Sequence, residues 1–231
     1  MRSMQKFSIQ TIAHIRSDFS EKFGIPRQSG ILKNLQSQII FEPEFRNADA
    51  LRGLSDFSHL WLVWIFSENI HERNFHPTVR PPRLGGNTRM GVFATRSSFR
   101  PNPIALSAVK IEKIEMTAEG PVITVSGADL MDGTPIVDIK PYLPFADSIP
   151  NASGGFTDKL TFEFLHVQIP EEELQKIPEE KRAILEKILA EDPRPAYVND
   201  SERLFGFSFA GFEIQFTVNE KNLFVQKIHK I

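Results

Sequence analysis

From Phe7 to about Pro150 the chain offers one strand-like run after another, without the regular alternation of strand and helix that a doubly wound parallel sheet needs. FSIQTIAHI (Phe7–Ile15) alternates as a strand does, and SQIIFE (Ser37–Glu42) reads as a second strand. HLWLVWIF (His59–Phe66) is a continuous apolar run rich in aromatic and β-branched residues, the pattern of a buried strand. IALSAVKIEKIEM (Ile104–Met116) and PVITVSGADL (Pro121–Leu130) follow, separated by the turn-prone TAEGP, and TPIVDIKPYL (Thr134–Leu143) comes after an Asp132–Gly133 turn. Within this stretch NADALRGL (Asn47–Leu54) reads as a short helix, with Asn47 as its cap and Gly53 near its end. The expected fold is mainly β.

The pattern changes at PNASGG (Pro150–Gly155), a flexible linker by composition. KLTFEFLHV (Lys159–Val167) reads as a strand. EEKRAILEKILAED (Glu179–Asp192) is an amphipathic helix with Ile184, Leu185, Ile188 and Leu189 on one face, stopped by Pro193. Arg203–Ile231 then alternates in strands joined by tight turns. A small α+β domain over residues 156–231 is expected behind a β domain over residues 6–148, and no repeat or low-complexity segment interrupts either.

Several chemistries are excluded. With no cysteine there is no disulfide, no thiolate nucleophile and no cysteine-held zinc or iron–sulfur centre. The N-terminal MRSMQKFSIQTIAHIRS lacks the apolar core of a signal peptide, and Leu60–Phe66 is far too short to span a bilayer, so a cytoplasmic location is expected. There is no phosphate-binding G-x-x-x-x-G-K-[ST] loop, LGGNTRMG lacks dinucleotide spacing, and His71 and His76 are wrongly spaced for a helical zinc motif; no metal is expected.

What the chain does carry is an island of arginine. From Arg73 to Ile111 there is no Asp or Glu, whereas Arg73, Arg80, Arg83, Arg89, Arg96, Arg100 and Lys110 are all present in a chain whose net charge is −2. The excess of arginine over lysine favours forked recognition of phosphate or carboxylate. Prolines bracket it: Arg80 precedes Pro81–Pro82, and Arg100 and Asn102 each precede a proline, which restricts the backbone on either side. Stiffened arginines suit a prearranged site for an anionic or planar ligand.

The motifs GVFATRSSFRPNPIALS (Gly91–Ser107), VRPPRLGGN, IPRQSG, FSHLWLVW and DLMDGTPIVDIKPYLPF together resemble the TsaA-like family, most closely its bacterial members that methylate N6 of threonylcarbamoyladenosine in tRNA. The likeness covers residues 6–148, and EDPRPAY (Glu191–Tyr197) resembles the tail of the same proteins. The resemblance implies a single-sheet antiparallel β-barrel with a small α+β C-terminal domain. It also implies S-adenosylmethionine as methyl donor, threonylcarbamoylated threonine tRNA as substrate, and a homodimer.

By the same resemblance the cofactor contacts fall on Pro26, Arg27, Gln28, Ser67, Glu68, Arg96, Leu106, Asp129, Leu130, Met131 and Asp132. Arg80, Arg83, Arg89, Arg100 and Asn102 are the expected tRNA contacts. Asp138, Lys140 and Tyr142 are candidates to orient or accept a proton, and no catalytic base is singled out. Residue by residue, blander roles are open: Glu68 and Asp132 as turn residues, Asp138 and Lys140 as a cross-strand polar row, Leu106 and Leu130 as core. A non-catalytic RNA-binding module, or a small-molecule methyltransferase of the same fold, would use the same arginines differently.

Overall fold

A computed structural model describes residues 5–69, 75–81, 88–160, 164–194 and 200–231. Strands β1 (Ala13–Arg16), β2 (Gln36–Phe41), β3 (His59–Ile65), β6 (Ile104–Thr117), β7 (Gly120–Ser126) and β8 (Pro135–Pro141) close into a barrel in the order β1-β2-β7-β6-β3-β8. Every pairing in it is antiparallel. The small ribbon β4 (Thr78–Val79) and β5 (Met90–Gly91) projects from the long connection between β3 and β6.

Side-chain alternation makes the barrel. In β3, Leu60, Leu62 and Trp64 point inward and are buried, whereas His59, Trp61, Val63 and Ile65 are half-buried on the outer wall. The apolar run is therefore buried on one face rather than both. Inward residues from five further strands, among them Ile15, Ile39, Val109, Ile123 and Ile136, complete the interior. β6 carries a bulge between Ile111 and Lys113, which lets its first half pair with β3 and its second with β7. Closure leaves no free edge in the barrel.

Two local expectations differ from the structure. The first strand is only Ala13–Arg16; Ile12 still bonds its neighbours through the backbone, but residues 5–10 are exposed. Asn47 does cap a turn, accepting from the Asp49 N–H at 2.9 Å, yet the segment forms two 3₁₀ turns, Ala48–Leu51 and Leu54–Asp56. Gly53 separates them, with φ of 82°.

Beyond the barrel come two single-turn helices, α1 (Pro144–Asp147) and α2 (Glu171–Leu174), and a longer one, α3 (Glu179–Ala190). The second layer holds a four-stranded sheet, β10 (Phe205–Phe209), β11 (Phe212–Asn219), β12 (Asn222–Lys230) and a short parallel edge β9 (His166–Gln168). Of the expected strand Lys159–Val167, residues 161–163 lie outside the described residues. Helix α3 buries Ile184, Leu185, Ile188 and Leu189 against this sheet. Phe19, Leu32 and Leu35 join the same core although they belong to the connection between β1 and β2. That connection leaves the barrel, docks on the second sheet and returns, tied by Ala210 N–H to the Asp18 carbonyl at 2.9 Å and by Ser208 N–H to Glu21 at 2.7 Å. Among the described residues no helix is long and apolar enough to cross a membrane.

Candidate active site

The excursion from β1 to β2 leaves a cleft of about 680 Å³ between its residues 22–28 and the barrel's outer wall, within the size range of small-molecule sites. Its floor is the end of β3, from Val63 to Phe66, and the start of β6, from Ile104 to Ser107. One wall is the loop carrying Thr95, Arg96, Ser98 and Arg100; the far end holds Asp129, Met131 and Thr134.

A buried hydrogen-bonded row feeds this cleft. The indole Nε1–H of Trp64 donates to Ser107 Oγ at 2.9 Å, and Ser107 Oγ donates to Asp129 Oδ1 at 2.6 Å. The direction is forced. An indole nitrogen can only donate, so the serine oxygen accepts from it and turns its own hydrogen to the carboxylate. Ser107 is 1% exposed, hence neither partner can be replaced by solvent. Burial pushes the Asp129 carboxyl above its ordinary range; the Ser107 hydroxyl, the backbone N–H groups of Asp129 and Ser29, and the Arg96 charge pull partly the other way.

Arg96 stands across the same site. Its Nη1 donates to Gln28 Oε1 at 2.7 Å, Gln28 Nε2 donates to the Arg27 carbonyl at 2.6 Å, and Arg27 Nη2 donates to the Asp192 carbonyl at 3.0 Å. Asp192 in turn pairs in forked fashion with Arg194, at 2.8 and 2.9 Å. One chain of contacts thus links the arginine loop, the PRQ segment and the end of α3. The EDPR part of the tail motif has a place at the site through this chain.

Nine of the eleven expected cofactor residues line the cleft: Pro26, Arg27, Gln28, Ser67, Glu68, Arg96, Leu106, Asp129 and Met131. Leu106 is half exposed there, at 50%. The other two sit behind it. Leu130 is in the barrel core, with its carbonyl accepting from Ser17 Oγ at 3.0 Å. Asp132 accepts from the Ser17 N–H at 2.9 Å, and its own N–H donates to the Phe19 carbonyl at 2.7 Å, so it fixes where the excursion leaves β1.

Asp138, Lys140 and Tyr142 are not among the lining residues. They lie on or just beyond β8: Asp138 and Lys140 form an ion pair at 2.6 Å, and the Tyr142 ring packs on Trp61 and His59. Asp138 pairs in register with Val63, which does line the cleft.

Of the expected tRNA contacts, Arg100 is stapled into its own loop, donating from Nη1 to the Thr95 and Ser97 carbonyls at 3.0 and 3.1 Å. It braces the wall of the cleft. Asn102 is exposed, and its carbonyl accepts from the Ile104 N–H at 2.7 Å. Arg80 and Arg89 are exposed on either side of the β4–β5 ribbon, and Arg83 lies outside the described residues. Among the described residues no group of His, Asp and Glu has the makings of a metal site.

Sequence reasoning did not reach Trp64, Ser107 or the Asp192–Arg194 fork. A polar Ser107 at an inward position of IALSAVKI, in step with the buried Val109, was the available signal for the first two.

The chain matches two family descriptions in tandem: the tRNA-methyltransferase O N-terminal domain over residues 14–148 and the TrmO C-terminal domain over residues 161–231. It is 44% identical over 205 residues to the tRNA (adenine(37)-N6)-methyltransferase of Escherichia coli (strain K12), spanning 86% of this chain and 87% of that one. A protein of Pyrococcus abyssi named "Probable S-adenosyl-L-methionine-binding protein" is 33% identical over 148 residues, 64% of this chain and 74% of its own. The crystal structure of TrmO from P. aeruginosa superposes with a TM-score of 0.78 at 31% identity, over 99% of each chain.

Proposed function

The chain belongs to the tRNA-methyltransferase O family, and we propose that it transfers the methyl group of S-adenosylmethionine to N6 of the adenosine at position 37 of tRNA. The substrate in this reading is threonine tRNA whose adenosine already carries a threonylcarbamoyl group. The protein acts as a cytoplasmic homodimer and without a metal ion. The observation that carries the proposal is the Trp64–Ser107–Asp129 row, which presents a buried carboxylate to a cleft whose other side holds Arg96 and Arg27.

S-adenosylmethionine, when bound, supplies an electrophilic methyl on a cationic sulfur. The cleft fits such a donor because its charges come in both signs. Arg96 and Arg27 suit the carboxylate of the amino-acid moiety, and Gln28 already holds Arg96 in place. Glu68 and Ser67 suit ribose hydroxyls or the ammonium group. Leu106, Pro26 and Met131 offer apolar surface for a purine ring. Asp129 would suit the cationic sulfur, since a desolvated carboxylate acts more strongly than one in water. Leu130 and Asp132 work from behind, by fixing the backbone that frames the cleft.

The acceptor nitrogen is urea-like and attacks poorly, so holding it in line contributes much of the rate. The orienting roles of Asp138, Lys140 and Tyr142 need a substrate that reaches from the cleft past Val63 onto the outer wall. A tRNA nucleotide with its threonylcarbamoyl substituent has that reach. Arg80, Arg83, Arg89 and Asn102 then contact the tRNA, and Arg100 contributes by shaping the loop beneath it.

Mass spectrometry of digested threonine tRNA from a strain lacking the gene tests the reading. The threonylcarbamoyladenosine should lack one methyl group, and the gene supplied on a plasmid should restore it. An unchanged nucleoside in the deletion strain contradicts the assignment.

A further inference from the structure

Two large aromatic side chains sit in the open beside the cleft. Phe75 is 55% exposed and Phe93 72% exposed, their ring centroids 6.2 Å apart and their planes 25° from parallel. They flank the foot of the β4–β5 ribbon, which is closed there by the Val92 N–H donating to the Pro77 carbonyl at 3.0 Å. Phe93 lies in the 3₁₀ turn Val92–Ala94, directly before Thr95 and Arg96 of the cleft wall. The aromatic pair is thus anchored a few residues from the mouth of the site.

Neither ring belongs to the barrel core or to the second core. Exposed apolar surface of this kind, next to a cleft, marks a place where something docks. Its surroundings say what. Arg80 and Arg89 follow and precede the paired strands of the same ribbon, both are exposed, and among the described residues neither takes part in an ion pair. No Asp or Glu occurs anywhere between residues 74 and 111. A self-complementary contact between two copies around this ribbon would bring the same unneutralised arginines toward each other. A polyanion with planar groups meets both features at once.

We propose that Phe75 and Phe93 form a stacking platform for a nucleotide next to the reacting adenosine in a single-stranded loop, with Arg80 and Arg89 on the adjoining phosphates. The proposal rests on the tRNA reading above and specifies where the RNA lies. Stacking on aromatic side chains is sequence-tolerant and little affected by salt, whereas arginine–phosphate contacts release counterions. The two halves of the platform therefore separate in a salt series.

The test is binding of an anticodon stem-loop of threonine tRNA that carries threonylcarbamoyladenosine to the protein across several salt concentrations. Phe93→Ala should weaken binding by about 5-fold to 150-fold, from the roughly 1–3 kcal/mol measured per stacked base at about 1.4 kcal/mol per tenfold, with the slope of log K against log salt unchanged. Phe93→Trp should restore affinity. Arg89→Ala should lower the slope by roughly 0.7 to 0.9. Binding of S-adenosylmethionine should stay at the wild-type level in all three variants, which also reports that they fold. Wild-type RNA affinity in Phe93→Ala overturns the platform while leaving the tRNA reading intact. A Phe93→Ala variant with full RNA affinity but a shifted monomer–dimer equilibrium assigns the rings to an interface between copies instead. A wild-type protein that binds S-adenosylmethionine but not the RNA overturns the tRNA reading and the platform with it.

Discussion

Replacing Asp129 with asparagine should weaken binding of S-adenosylmethionine by about tenfold to a hundredfold, the range of roughly 1.5–3 kcal/mol that a charge-assisted contact contributes. S-adenosylhomocysteine, which lacks only the methyl group and the positive charge it confers on the sulfur, should lose much less. Asparagine keeps the acceptor for the Ser107 hydroxyl and removes the charge. Calorimetry with both ligands gives the ratio directly. Equal losses for the two would place Asp129 elsewhere than beside the sulfur.

The pH dependence has opposite signs for binding and for stability. Attraction of a cation needs the carboxylate ionised, so wild-type affinity should fall as pH drops through the raised pKa of Asp129, and Asp129→Asn should show no such limb. The other charged groups lining the cleft are Lys22, Arg27, Arg96, Arg100 and Glu68. Stability of the ligand-free protein runs the other way. The folded state holds the Asp129 proton more tightly than the unfolded chain does. The associated stability is fully present below the ordinary aspartate range and is lost as pH rises through the folded-state value.

Gly24→Ala should produce the largest loss of stability of any single-methyl change in the β1–β2 excursion. Gly24 has φ of +83°, and a Cβ built there would lie 2.4 Å from Cδ2 of Phe207. Phe207 is fully buried in the second core and cannot retreat. Left-handed backbone in a non-glycine residue costs about 1–2 kcal/mol and overpacking about 1–3 kcal/mol, so a loss of about 2–5 kcal/mol is expected in urea unfolding. Gly30→Ala is the control. Its φ of +79° carries the same backbone cost, but nothing lies within 4 Å of its Cβ position, so it should lose only about 1–2 kcal/mol. Folded Gly24→Ala should also bind S-adenosylmethionine less tightly, because Pro26, Arg27 and Gln28 follow closely and form one wall of the cleft. A Gly24→Ala protein as stable as wild type would mean that the excursion does not pack on Phe207.

The elements most legible in the sequence were those with a period. The four core residues of α3 follow from helical spacing alone, and β2, β3, β6, β7 and β8 follow from apolar runs bounded by turn residues. Closure of the barrel, with β6 between β7 and β3, depends on pairings far apart in sequence and has no local signature. Burial of Phe19, Leu32 and Leu35 in the second core was equally hidden, since the excursion is irregular and shows no alternation. Nor does a formal charge say where it will point. Arg100 looked like a ligand contact and is bonded to two carbonyls of its own loop, whereas Arg96 nearby reaches Gln28 and the cleft. The resemblance supplied the order of the site residues along the chain; the hydrogen bonds behind Asp129 came only from the fold.

Methyl transfer by the purified protein tests the central claim most directly. The protein, treated with EDTA, is incubated with S-adenosylmethionine labelled in the methyl group and with threonine tRNA that either carries or lacks the threonylcarbamoyl group. The tRNA is then digested to nucleosides. The label should appear on threonylcarbamoyladenosine alone, at the same rate with the chelator as without it, and Asp129→Asn should lower the transfer. Label on the unmodified adenosine at a comparable rate, or no transfer by a protein that demonstrably binds both S-adenosylmethionine and tRNA, would contradict the account.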